Sequence, residues 1–149
     1  MNTELSKVLC YKNQDVVDRF LAMYDIEQAE AEIIFRETLK WLWLGNKVDG
    51  VFIDDSTLII DEMWHNFILF TQDYQNFCLS NFGRYIHHQP EKKKQQDWYT
   101  TEIHLEEHKN KLEVLYGAVY DHLGEDTLFI WFQDFPKKYS FEYIQSIKR

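Results

Sequence analysis

Apolar residues return at three- and four-residue spacing along most of this chain, and that period commits it to amphipathic helices packed around a shared core. Val16, Val17, Phe20, Leu21 and Tyr24 form one such stripe behind Asn13, a side chain suited to capping, with Asp15 near the positive helix end. Asp25 can cap a second helix whose broad apolar face runs through Ile26, Ala29, Ile33, Ile34, Leu39, Leu42 and Trp43 to a stop near Gly45. The pattern resumes from Asp61 to Phe70, bends at Thr71 as a new cap, and continues through Tyr74, Phe77 and Cys78 to a stop at Gly83. The clearest period starts near Thr100 or Thr101, where Leu105, Leu112, Leu115, Tyr116, Val119 and Leu123 share a face that ends at Gly124. A last helix can start at Ser140, after an aromatic run from Phe129 to Phe135 that would cap the core.

Two stretches break the period. Between Asn46 and Ser56, Gly50, Asp54 and Asp55 interrupt a few apolar residues, which predicts a short extended connector around residues 48–60, with a brief extended pair reaching Thr57 to Ile60. Arg84 to Pro90 must leave the helix, because Pro90 cannot continue the hydrogen-bond ladder and biases the residue before it to extended geometry. No internal repeat and no linker rich in Gly, Pro or Ser divides the chain. The expectation is an all-α fold, a single compact multi-helix domain over residues 1–149.

Composition supports a packed domain of this size: 149 residues with 45% hydrophobic and 17% aromatic side chains carry too much apolar material for a disordered chain. A net charge of -9 repels phosphate backbones and anionic lipid, which excludes nucleic acid and membrane surfaces as expected partners. The basic run Lys92 to Lys94 is flanked by Glu91 and Asp97 and reads as a solvated loop. Two cysteines, Cys10 and Cys78, are no disulfide framework, the amino terminus has no apolar signal core, and no stretch approaches the roughly 20 apolar residues that span a bilayer. A reducing, cytoplasmic setting is the natural expectation.

The chemistry-bearing residues gather in the middle of the chain. Asp61 and His65 are four apart, so a helix stacks them on one face, where the carboxylate can orient the imidazole or both can meet one metal ion. Tyr74 and Cys78 share a face of the next helix by the same spacing. His87 and His88 lie on the extended exit, where neighbouring side chains point opposite ways, so one of the pair can turn toward His65. His88 is the favoured candidate because it is the nearer of the two to the constraint at Pro90. Convergence of His65, His88 and Asp61 would make a donor set for iron or zinc with open coordination positions, with Cys78 and His87 as optional ligands. A Trp-His pair on an apolar helix is more often a core histidine with a satisfied hydrogen bond, and a free cysteine is commonly a small buried hydrophobe. Nucleophilic catalysis by Cys78 would need a depressed thiol pKa, which an acidic, aromatic neighbourhood does not promise.

His104, Glu107 and His108 repeat the H-x-x-E-H order of inverted zinc peptidases. The stretch around them is amphipathic and strongly charged, unlike an apolar active-site helix, so the better account is a partly buried helix histidine at His108.

The run from Ile60 to Cys78, with Asp61, Trp64, His65 and Tyr74, followed by Gly83, His87, His88 and Pro90, resembles the domain of plant glycine-rich domain-containing proteins and their mostly bacterial relatives. Leu115 to Gly124 and Ile130-Trp131 look like that family's later helix and tryptophan. The resemblance implies a helical fold and a site at these residues but no defined activity. Many members carry a histidine where this chain has Phe67, which would remove one ligand here.

Two functions from different classes fit. One is a metal-binding helical domain, with catalysis left open, using His65 and His88 as principal ligands, Asp61 as ligand or orienter, and Tyr74 or Cys78 as neighbouring donor groups. The other is a noncatalytic protein-interaction module, in which a buried His/Asp/Tyr network fixes the bend between helices and Trp64, Tyr74 and neighbouring aromatics serve binding. The residues alone lean to the second, with a protein as the partner and the oligomeric state left open.

Overall fold

The computed structural model describes residues 4–88 and 102–149, with the side chains of 102 and 103 left out. It is all-α. Helices α1 (Leu5–Leu9), α2 (Gln14–Met23), α3 (Gln28–Lys47), α4 (Leu58–Leu69) and α5 (Thr71–Phe82) precede α6 (Glu102–Leu123), α7 (Glu125–Phe129), α8 (Phe135–Lys138) and α9 (Phe141–Ser146). No strand occurs among the described residues. No helix among them is long and apolar enough to cross a membrane.

The core is organised by α3, which buries Ala31, Ile34, Phe35, Thr38, Leu39, Trp41, Leu42 and Leu44 and packs against α1, α2, α4 and α6. Beside it, α4 and α5 bring Phe67, Tyr74 and Phe77 into an aromatic cluster with Tyr11 and Phe35. The turn between α4 and α5 occurs at Phe70, with φ -86 and ψ 71, while Thr71 is the first helical residue and its side chain makes no cap bond. Gly83 ends α5 in the left-handed region at φ 72, where a Cβ would be strained. From Arg84 to His88 the chain runs without helix or strand back across α4 and α5. Tyr74 and Trp64 meet that arm from below.

Several local expectations change once the helices are packed. Asp25 does not cap α3, which starts at Gln28, because the Asp25 N–H donates to the Ile147 carbonyl at 2.7 Å and ties the α2 exit to the C-terminal tail. Gly45 does not stop α3, which continues to Lys47. The connector is irregular from Val48 to Asp54, but the extended pair at Thr57 to Ile60 does not form. A capping box makes that stretch helical instead: Asp54 accepts from Ser56 N–H, and Thr57 Oγ1 accepts from Asp54 N–H at 3.1 Å, launching a single tight turn and then α4. Ile33, Leu105 and Phe129 are exposed rather than core, because the buried stripes are centred on Ile34, Leu115 with Val119, and Trp131. The short α1 and the wider π-type turn Ile130–Asp134 carry no clear sequence period. Pro90, the Lys92–Lys94 run and the proposed starts at Thr100 and Thr101 lie outside the described residues.

Asn13 caps α2 through its side-chain oxygen to Val16 N–H at 3.3 Å, while its amide donates to Asp73 on α5 at 3.0 Å and to the Tyr11 hydroxyl. An Asn13→Ala variant is expected to lose about 1 kcal/mol from the cap. Thermal unfolding followed by circular dichroism should then shift down by about 2–4 °C for a chain of this length.

Candidate metal centre

The four-residue spacing on α4 puts Asp61 and His65 on one face, and the arm after α5 lays His88 over them. His88 Nε2 lies 2.5 Å from Asp61 Oδ1, and His65 Nε2 lies 3.7 Å from Asp61 Oδ2. The two imidazole centroids are 4.5 Å apart. One ligand atom from each of the three residues falls within 4.8 Å of the others. Donors around an ion with bonds of about 2.0–2.1 Å sit roughly 3 to 3.5 Å from one another; the His88–Asp61 pair is closer than that and makes a direct hydrogen bond, and the His65–Asp61 pair is slightly wider.

Burial is graded across the group. The His88 side chain is 11% exposed, Asp61 19% and His65 47%. His88 is therefore set in the wall, and His65 stands at the solvent edge. Asp61, His65, His87 and His88 belong to the lining of an open cleft that also takes in Asp54 and His108. His108 sits 3.9 Å from Asp54 and edge-on to Phe52. Glu107 is exposed, and the metal-competent group found among the described residues contains neither His104 nor His108.

The other sequence candidates occupy different positions. His87 is exposed, with its ring 4.7 Å from Tyr85, and lies outside the three-residue group although it lines the same cleft. Cys78 is wholly buried and outside the three-residue group. Burial pushes its thiol pKa up, against a nucleophilic role. Trp64 and Tyr74 are buried too, Trp64 at the cleft wall. They brace the arm: Trp64 Nε1–H donates to the Tyr74 hydroxyl at 3.0 Å, and Tyr74 donates to the Ile86 carbonyl at 2.5 Å. Burial, foremost, with the neighbouring Cys78 adding to it, raises the Tyr74 pKa far above the ordinary phenol range, so it remains a donor. Trp64 also places its ring 4.2 Å from that of His88. The main chain of Ile86 is the participant that side-chain reasoning missed, since an apolar residue carries no chemical signal; its place two residues before His88 in an extended segment is the only clue.

Phe67 does not stand in for a lost ligand. It is fully buried in the aromatic cluster and lies about 200° round α4 from His65, so a residue at this position faces the core.

Fold and site together define an all-α domain with two histidines and an aspartate gathered where a non-helical arm crosses a helix pair. Residues 11–104 match the model of the UCP032817-like family, and the chain belongs to that family. This overturns the resemblance to the glycine-rich domain-containing proteins, because the matching family is a different one and no glycine-rich domain family is found. The matched span contains the whole three-residue group. No curated protein and no solved structure matches the chain.

Proposed function

We propose that this domain binds one divalent transition metal ion, iron or zinc, through Asp61, His65 and His88, and leaves coordination positions open to the cleft. The single observation that carries this reading is the convergence of the three ligand atoms within 4.8 Å, from residues on two separate chain segments. Two imidazoles and one carboxylate suit iron(II) and zinc(II) rather than calcium or magnesium, which prefer all-oxygen shells. A bound ion there supplies Lewis acidity, and iron adds redox chemistry. The half-exposed His65 favours this reading over a buried polar network, because such a ring gains little by being held beside a carboxylate in water.

One observation favours the second reading, a noncatalytic interaction module with a structural His/Asp/Tyr network: among the described residues, no buried side-chain nitrogen or oxygen lacks a hydrogen-bond partner. Elemental analysis of untagged protein, incubated with iron(II) or zinc(II) and desalted, separates the two. Wild type is expected to retain about one equivalent of metal, and Asp61→Asn and His65→Ala are expected to retain far less, beyond the roughly 10–100-fold affinity loss typical of outer-shell changes. A wild-type chain that comes through desalting without metal would remove the metal reading and leave the structural network.

A further inference from the structure

His88 is the donor that no helix positions, and its placement depends on how the arm is held two residues earlier. Ile86 meets side chains one turn apart on α5 at its main chain: its carbonyl accepts from the Tyr74 hydroxyl at 2.5 Å, and its backbone lies beside the Cys78 thiol, where it offsets part of the rise in pKa that burial causes. The Ile86 side chain is itself buried. Backbone polar groups away from water require partners, and here a side chain supplies what a neighbouring strand would supply in a sheet. In an extended segment, residues i and i+2 lie on the same side, so anchoring Ile86 inward turns His88 inward and His87 outward. Trp64 closes the arrangement by donating to Tyr74 while its ring lies against His88.

We propose that Tyr74 and Cys78 are positioning residues of the metal centre, a two-point clamp on Ile86 that aims the His88 imidazole at Asp61 and His65. The claim about affinity rests on the metal reading above; the claim about His88 placement does not. Removing either contact leaves His88 present but free to swing, so affinity falls although every ligand remains.

The test uses the full chain with Tyr74→Phe, Cys78→Ala and Cys78→Ser. Zinc affinity is read by competition with a chromophoric chelator, and the Trp64–His88 contact by nuclear Overhauser effects between indole and imidazole protons. Tyr74→Phe and Cys78→Ala are expected to weaken zinc binding about 10–100-fold, as loss of outer-shell support does elsewhere. Cys78→Ser, which keeps a polar group beside the Ile86 main chain, is expected to recover most of the affinity lost in Cys78→Ala. Folded variants with lowered melting temperature but wild-type affinity and unchanged Overhauser effects would overturn the clamp, since a merely structural role moves only stability. If wild type binds no zinc, the metal reading fails by itself; the clamp then stands on an indole–imidazole Overhauser effect that is present in wild type and lost in Tyr74→Phe, and falls if that signal is unchanged. Should Tyr74→Phe fail to fold, the contrast between Cys78→Ala and Cys78→Ser decides the question.

Discussion

His88→Ala is expected to leave the protein without stoichiometric metal after desalting, with zinc affinity reduced by more than the roughly 100-fold at the upper end of outer-shell effects. Three protein donors converge, and this substitution removes the most buried of them, 11% exposed, together with the ring that Trp64 lies against. The Asp61 carboxylate also loses its 2.5 Å partner, and a hydrogen bond to a charged group is worth about 1.5–3 kcal/mol, so a modest loss of stability should accompany the loss of metal. Zinc competition and urea unfolding on the same preparation separate these effects. A fully loaded His88→Ala protein would place the metal elsewhere. His87→Ala is the internal comparison, because that ring is exposed against Tyr85 and outside the three-residue group, and its substitution is expected to leave zinc affinity within about threefold of wild type.

Trp131→Ala is expected to bring the largest change in stability. The indole is fully buried, packs 5.3 Å from the Trp41 ring, and donates its Nε1–H to Glu37 at 2.9 Å. Glu37 is only 2% exposed and holds its second partner, Lys40, at 3.0 Å, while Lys40 reaches on to Thr127. Truncating a buried tryptophan costs about 3–5 kcal/mol through lost transfer energy and the cavity left behind. Weakening the hydrogen bonding of a buried carboxylate adds about 1–3 kcal/mol. The sum, about 4–8 kcal/mol, is comparable with the lower part of an ordinary domain's stability, roughly 5–15 kcal/mol, so urea unfolding should show a midpoint shifted far toward zero denaturant. Trp131→Phe keeps most of the volume and loses the donor, and should fall between the two. A Trp131→Ala protein within about 1 kcal/mol of wild type would mean that the C-terminal helices contribute little to the core, against the usual cost of such truncations.

The proposed metal site and the residue with the largest expected stability effect thus lie in different parts of the chain. The three donors lie within the family-matched residues 11–104, whereas Trp131 lies beyond them and anchors the C-terminal segment to α3 through Glu37. This separation lets His88→Ala and Trp131→Ala serve as controls for each other: the first should move metal far more than stability, the second stability first.

What the sequence determined was local. Helical period, the Asn13 cap, the left-handed stop at Gly83 and the shared face of Asp61 and His65 all follow from backbone geometry over a few residues, where each turn advances by a known angle and rise. Even local chemistry does not settle every cap: Asp25 and Thr71 have the chemistry of caps, yet a hydrogen bond to the C-terminal tail claims one backbone and the bend at Phe70 replaces the other. Tertiary structure decided the rest. Asp61 and His88 are 27 positions apart, and what brings them into contact is an arm without regular structure, held at the Ile86 carbonyl by the Tyr74 hydroxyl. Glu37 and Trp131 meet across 94 positions for the same kind of reason. Short spacings are set by the covalent chain, but long-range meetings depend on which buried polar groups find partners once the helices have packed, and no periodicity records that choice.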